Sequence, residues 1–359
     1  MKKVWMGSES ISILIVALSV FLALTAAVSL PPAYSNEVIH VKDGAELDAA
    51  IQSATSGAMT VIYLDKDIDA VTSATYGVKD GPSGKWVTID GQGYAIDGAA
   101  SPDDKKYTAL RFGNDNTSSE KRNTIVLRNL TMKNFFNGEA HGGGAIALYR
   151  GSLTIENCAF IGNKNGANTG PNNDKLTRGG GAVLVHGQGY LDITNSTFYG
   201  NESGVQGGAI FVKGAAKITN CTITGNTTKL NGGGVHCEPA GASDGYVSSA
   251  LLINSIVAGN AALGDGERYD TAGVIADGGS NLLGSTPAID PGRGTKAGVE
   301  VASILEPGAP KVNVKGTPTI ALTKGSPAID TADAALAPTV DQRDLTRGAK
   351  PDIGAYELQ

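Results

Sequence analysis

Asn195-Ser-Thr-Phe-Tyr-Gly-Asn201 is followed six residues on by Gly207-Gly-Ala-Ile210, and both boxes recur along the chain. The first returns as Asn157-Cys-Ala-Phe-Ile-Gly-Asn163, Asn220-Cys-Thr-Ile-Thr-Gly-Asn226 and Asn254-Ser-Ile-Val-Ala-Gly-Asn260, with a degenerate copy at Asn129-Leu-Thr-Met-Lys-Asn134. The second returns as Gly143-Gly-Ala-Ile146, Gly180-Gly-Ala-Val183 and Gly232-Gly-Gly-Val235. Between the boxes lie short alternating segments such as Leu153-Thr-Ile155, Leu191-Asp-Ile193 and Leu251-Leu-Ile253. The undecorated unit, Asn195 to Asn220 or Gly207 to Gly232, is about 25 residues, which suits one solenoid coil of three short strands.

The residue types fit that geometry. Coils stack at about 4.8 Å. Asn at one register of every coil, here Asn157, Asn195, Asn220 and Asn254, is expected to share one turn column and to form a ladder of side-chain amides. Glycine pairs allow sharp turns, and parallel crossovers favour the right hand. The expected fold is therefore all-β: a right-handed, single-stranded parallel β-helix over residues 36–322, with a closing segment at 323–359. An amphipathic helix at Ala45 to Ser53 is expected to cap the open end, which otherwise exposes strand edges.

Composition agrees with many tight turns and a thin core. Of 359 residues 49 are Gly, aromatics are 6% and charged residues 18%. The net charge is -6 and no Lys/Arg-rich run occurs, which argues against a nucleic-acid partner. Residues 1–35 read as a signal peptide: Lys2 and Lys3, an uncharged stretch from Ile11 to Leu30, then Ala33-Tyr34-Ser35. The apolar stretch is also long enough for an uncleaved membrane anchor, the one route by which a membrane would be a partner. The expected location is secreted or cell-surface. Cys158, Cys221 and Cys237 fall in similar apolar slots and are expected to be buried free thiols.

The two boxes resemble the GGAI and FxxN repeats of chlamydial-type polymorphic outer-membrane proteins over residues 129 to 260. Phe160-Ile-Gly-Asn163 and Phe198-Tyr-Gly-Asn201 fit FxxN fully, whereas later copies carry Ile223 or Val257. Toward the C-terminus, Gly279-Ser-Asn-Leu-Leu-Gly284, Gly325-Ser-Pro-Ala-Ile-Asp330, Asp341-Gln-Arg343 and Asp352-Ile-Gly-Ala-Tyr-Glu357 follow the order of the choice-of-anchor Q domain. These resemblances imply an exported, adhesin-like β-helix of the pectate-lyase-like solenoid type. They imply no catalytic residues.

Strand alternation from the Gly boxes sends Ala147, Leu184, Phe211 and His236 outward in one column, and Tyr149, His186, Lys213 and Glu238 in the next. Tyr149, Leu184, His186, Phe211, Lys213, His236 and Glu238 are thus the candidate ligand-binding residues. They are expected to form a flat outward face, flanked as a groove by insertions at 164–178 and 238–249, suited to an extracellular polysaccharide or a surface protein. The plain alternative is a solvated face with a Lys213–Glu238 ladder pair. No stacked acidic cluster is apparent in the repeats, so a polysaccharide lyase or glycoside hydrolase is the alternative function. The resemblance, which places Asp341, Arg343, Arg347, Asp352 and Glu357 in the closing motif, implies that they pair with one another and tie down the last coil; an active site is the alternative. No cofactor or metal motif occurs. Asn172, Asn173 and Asp174, or Asp265, Glu267 and Asp270, have ligand chemistry for Ca²⁺ and equally suit solvated loops.

Overall fold

The computed structural model describes residues 36–54, 58–69, 76–78, 85–99, 109–113, 123–138, 142–166, 179–239, 247–264, 270–285, 292–312 and 316–359. The export segment at 1–35 lies outside them. No helix among the described residues is long and apolar enough to cross a membrane.

The strands of each described sheet pair in parallel, in sheets of thirteen, nine and five strands. In the first sheet, Ile146–Glu156 pairs with Val183–Thr194, which pairs in turn with Ile210–Thr219. The second sheet carries Ala159–Ile161, Thr197–Tyr199 and Thr222–Thr224. The third carries Lys164–Asn165, Glu202–Ser203 and Thr227–Thr228. Each coil therefore runs along all three sheets before the Gly box returns it to the first. This is the expected parallel β-helix.

The Gly box is small because successive backbones nearly touch there. A Cβ on Gly208 would lie 1.9 Å from the Gly233 carbonyl oxygen. Inside the coils, Leu153, Ile155, Leu191, Ile193 and Ile218 are fully buried. Phe160 and Phe198 stack with ring centroids 4.7 Å apart and planes 5° from parallel. Such burial contributes about 1.5–3 kcal/mol per large apolar side chain relative to leaving it exposed.

The turn between the first and second sheets explains the leading Asn of each box. Asn129, Asn157, Asn195, Asn220 and Asn254 all take left-handed φ between 47° and 52°, a region that Asn tolerates because its short polar side chain bonds locally. The four expected Asn therefore do share one column. The continuous amide ladder, however, is formed by the trailing Asn of the box. Asn163 donates to Asn201 at 3.0 Å, Asn201 to Asn226 at 2.8 Å, and Asn226 to Asn260 at 2.8 Å. In the leading column only neighbours such as Asn254 and Asn220 bond, at 3.2 Å. That column faces outward, and the amides of Asn195, Asn220 and Asn254 are taken up by a later part of the chain.

Helix α1, Gly44–Ser53, closes one end as expected. Asp43 accepts the Glu46 amide as N-cap, and Leu47 and Ile51 join the same buried core as Ile62 and Leu64. At the other end, the last parallel pairing joins Leu282–Leu283 to Lys296–Ala297. The coils thus stop short of the expected residue 322. Helix α2, Val301–Ile304, follows, and Leu305–Leu322 and Lys311–Thr319 meet only as isolated antiparallel bridges.

The closing segment is not confined to the last coil, although Ala328 and Ile353 pack in one cluster with Leu282 there. It runs back over the outside of the second sheet and its Asn turns. Thr317 bonds the Asn157 carbonyl, Thr197 donates to Gln342, Arg347 reaches Asn195, and Asn220 donates to the Asp352 carbonyl. Farther on, Asn254 exchanges bonds with Asp333. Its charged residues pair as expected: Arg343 with Asp341 at 2.6 Å and Arg347 with Glu357 at 3.0 Å, all buried. The Arg343 guanidinium also lies 3.7 Å from the Tyr356 ring centre. A second apolar cluster, including Ile256, Leu282, Ile304, Ile320 and Ile353, seals this segment against the coils.

Candidate functional site

The first half of the first sheet brings the expected outward residues into register. Leu184 pairs with Phe211, and Phe211 with His236. His186 pairs with Lys213. Phe211 and His236 stack at 5.5 Å, Tyr149 lies 5.9 Å from His186, and the Arg111 guanidinium sits 4.5 Å from the Tyr149 ring centre. Lys213 approaches Glu238 at 3.7 Å.

The direction of these side chains is as expected, but their exposure is not. Ala147, Tyr149, Leu184 and Phe211 form an apolar cluster of their own, separate from the lumen, and Leu184 and Phe211 have no solvent exposure. His186 and His236 are also buried. Alternation fixes which way a side chain points; it does not fix what lies over it. The expected outward face is therefore a second, outer core, with Lys213 and Glu238 at its accessible margin, at 17% and 32% side-chain exposure. His236 Nδ1 has no hydrogen-bond partner among the described residues, and burial lowers its pKa to about 4, so the ring is neutral at physiological pH.

Of the insertions thought to wall this face, Lys164–Asn165 is a strand of the third sheet, and Lys164 pairs with Glu202 at 2.8 Å. Most of the rest falls outside the described residues, as do Asn172, Asn173, Asp174, Asp265 and Glu267. The Asp270 carboxylate accepts both the backbone and side-chain amides of Asn260 and ends the ladder. Among the described residues, no group of three or more His, Cys, Asp or Glu could hold a metal ion.

The second half of the same sheet holds a charged face that reading the repeats alone missed. Asp90, Arg128 and Glu156 lie in one column, and Thr154, Asp192 and Lys217 in the next. Glu156 and Asp192 are thus diagonal neighbours in adjacent columns, and neither stacks directly on another acid, as expected: Glu156 pairs with Arg128 and Thr194, and Asp192 with Thr154 and Lys217. Arg128 binds Asp90 at 2.8 Å and Lys217 reaches Asp192 at 3.5 Å. Partial burial raises the pKa of both Glu156 and Asp192, and the Asp192 charge adds to the rise at Glu156. Tyr190 bonds Asp192 and is raised by its own burial. Aligning Leu153-Thr-Ile-Glu156 with Leu191-Asp-Ile-Thr194 and Ala216-Lys-Ile-Thr219 carries this signal, although the shared apolar positions draw the eye first.

With this geometry in place, the chain is similar over residues 38–166 to the model of a pectate lyase-like adhesive domain. That stretch opens in the first strand, Asn36–Val41, and ends just past Lys164–Asn165. No curated protein and no solved structure matches the chain.

Proposed function

We propose that the protein works outside the cell, or on its surface, as a non-catalytic adhesion module that holds an extracellular glycan or a surface protein. The observation that carries this reading is the similarity of residues 38–166 to an adhesive domain, on a fold that displays outward side chains at fixed spacing. The choice-of-anchor Q order of the closing motifs and the signal-like residues 1–35 support export. The margin of the outer core, where Lys213 meets Glu238 beside Tyr149, His186 and His236, is the proposed contact surface, with Leu184 and Phe211 packing beneath it. A glycan array read for both binding and cleavage tests this. Binding without cleavage, weakened by Lys213→Ala and Glu238→Ala with unchanged thermal unfolding, is expected. Full binding by both variants moves the contact elsewhere, and absence of binding to glycans and to cell surfaces removes the adhesive reading.

A second reading, hydrolysis of an extracellular polysaccharide, is favoured by one observation: the diagonal Glu156 and Asp192, both raised, with Lys217 and Arg128 alongside. Two carboxyl groups facing one bond are what glycoside hydrolysis requires. New reducing ends on incubation with a polysaccharide, lost in Glu156→Gln and Asp192→Asn, would establish it; their absence across the array leaves the adhesive reading alone.

A further inference from the structure

A separate cavity of about 480 Å³ lies on the other side of the coils, where α2 and the residues after it lean over the turn between the second and third sheets. Its volume falls within the roughly 300–1,000 Å³ of small-molecule sites. Tyr199, Thr224, Gly225, Gly259, Leu305 and Glu306 line it. The floor is bare backbone: Gly225 and Gly259 take φ of 67° and 74° and carry no side chain into the space. The Tyr199 ring leans over this floor, 3.2 Å from where a Gly225 Cβ would stand, and Val301 crowds Gly259 in the same way at 3.1 Å. Tyr199 is half-buried and Glu306 exposed, so one wall offers an aromatic face and the rim a carboxylate.

We propose that this cavity is a saccharide subsite for a neutral or amine-bearing pyranose, and that it does not take uronates. A flat aromatic ring packs against the C–H face of a sugar, the Thr224 hydroxyl can meet a ring hydroxyl, and the Glu306 carboxylate can accept from a vicinal diol or an amine. The described lining contains Glu306 and no Lys or Arg, so a sugar carboxylate would meet like charge without compensation. The similarity of residues 38–166 to a pectate lyase-like domain would by itself suggest a polyuronate; the lining points the other way. This subsite rests on the adhesive reading only in taking a glycan as the ligand.

The test is ligand-observed NMR and calorimetry on the full chain, with cellobiose and chitosan disaccharide as the neutral and cationic probes and digalacturonate as the acidic one. The first two should bind and digalacturonate should not. Tyr199→Ala should weaken them by about tenfold, the loss of one aromatic contact. Because Tyr199 also packs on the closing segment, the exposed Glu306→Lys variant is the second arm: it should fold normally and admit digalacturonate. Binding of digalacturonate by the wild type, no binding of either other probe, or exclusion of digalacturonate by a folded Glu306→Lys variant would each overturn the proposal. Adhesion of the same samples to cells is measured in parallel. Adhesion that survives while no disaccharide binds overturns the subsite and leaves the adhesive reading standing; loss of wild-type adhesion with disaccharide binding intact does the reverse.

Discussion

Asn260 passes the end of the amide ladder to Asp270: its side-chain amide donates to the Asp270 carboxylate at 2.8 Å and its backbone N–H to the same oxygen at 2.7 Å. Every earlier rung has an Asn carbonyl in that place. A charge therefore sits where the repeat needs only an acceptor, and burial raises the Asp270 pKa despite four hydrogen bonds that favour its ionised form. A carboxyl raised in the folded state contributes its full stability below its unfolded value of about 3.9, and that contribution falls as pH rises through the folded value. Asp270→Asn keeps the acceptor and removes the charge. It should equal or exceed the wild type in urea midpoint at about pH 8 and lose that advantage near about pH 4. Asp270→Ala, which leaves two buried donors without an acceptor, should cost about 1–3 kcal/mol at both. A wild type whose stability rises from the lower to the higher pH relative to Asp270→Asn would refute the assignment.

The two Asn columns should answer differently to one substitution. Asn226 acts through its side chain, donating to Asn260, Phe198 and Thr224 and accepting from Asn201. Asn157 acts chiefly through its left-handed backbone, φ 52°, and its amide bond to Asn129 is a long 3.5 Å. Asn157→Gly should therefore change stability by less than about 1 kcal/mol, because Gly takes this φ freely. Asn226→Gly should cost about 3 kcal/mol or more through several buried groups left unpaired. Equal losses in denaturant unfolding would mean that the ladder is not a distinct source of stability.

The thiols make a third case. All three cysteines are buried and free, and burial pushes each pKa up to about 12. The thiolate is the reactive species, so native protein should resist alkylation at neutral pH and unfolded protein should take up three equivalents. Cys158 and Cys221 alternate with Ser196 and Ser255 in one slot, and each Cys amide donates to the serine hydroxyl of the next coil. Cys221→Ser should accordingly fold, within about 1 kcal/mol of the wild type. Rapid native labelling would place a thiol at the surface.

Phe211 and Lys213 are two residues apart on the same outward face, yet they should behave as core and surface. Phe211 is fully buried against Leu184 and His236, and Phe211→Ala should cost about 3–5 kcal/mol, as a cavity in any core would. Lys213→Ala, at the margin, should cost under about 1 kcal/mol. Thermal melts of the two variants decide it, and a Phe211→Ala protein as stable as the wild type would mean that the outer cluster is not packed.

What the sequence disclosed follows from what repeats encode. The coil period, the inward columns, the cap helix and the shared Asn turn were legible because each coil states them again. Two nearly identical Asn per box did not reveal which one forms the ladder, since the choice depends on which amide points into the wall and which toward the closing segment. Outward direction was legible at Leu184 and Phe211, whereas burial was not, because strand alternation sets which way a side chain points and not what packs over it. The pairing within Asp341, Arg343, Arg347 and Glu357 was expected from the resemblance that places them in a closing motif. Its seat on the coils of Asn195 and Asn220, well over a hundred positions earlier, was not, because no local pattern records so distant a partner.

The returning closing segment also sets the order in which the molecule can come apart. A bare solenoid frays from its ends, each coil held only by its neighbour. Here Arg347 and Asp352 fasten to the turns at Asn195 and Asn220, and Asp333 to Asn254, so the terminal coil cannot peel away while the strap across its predecessors holds. Lifting that strap would uncover the buried ion pairs Arg343–Asp341 and Arg347–Glu357 together. Sequential fraying at that end is thereby converted into one concerted release.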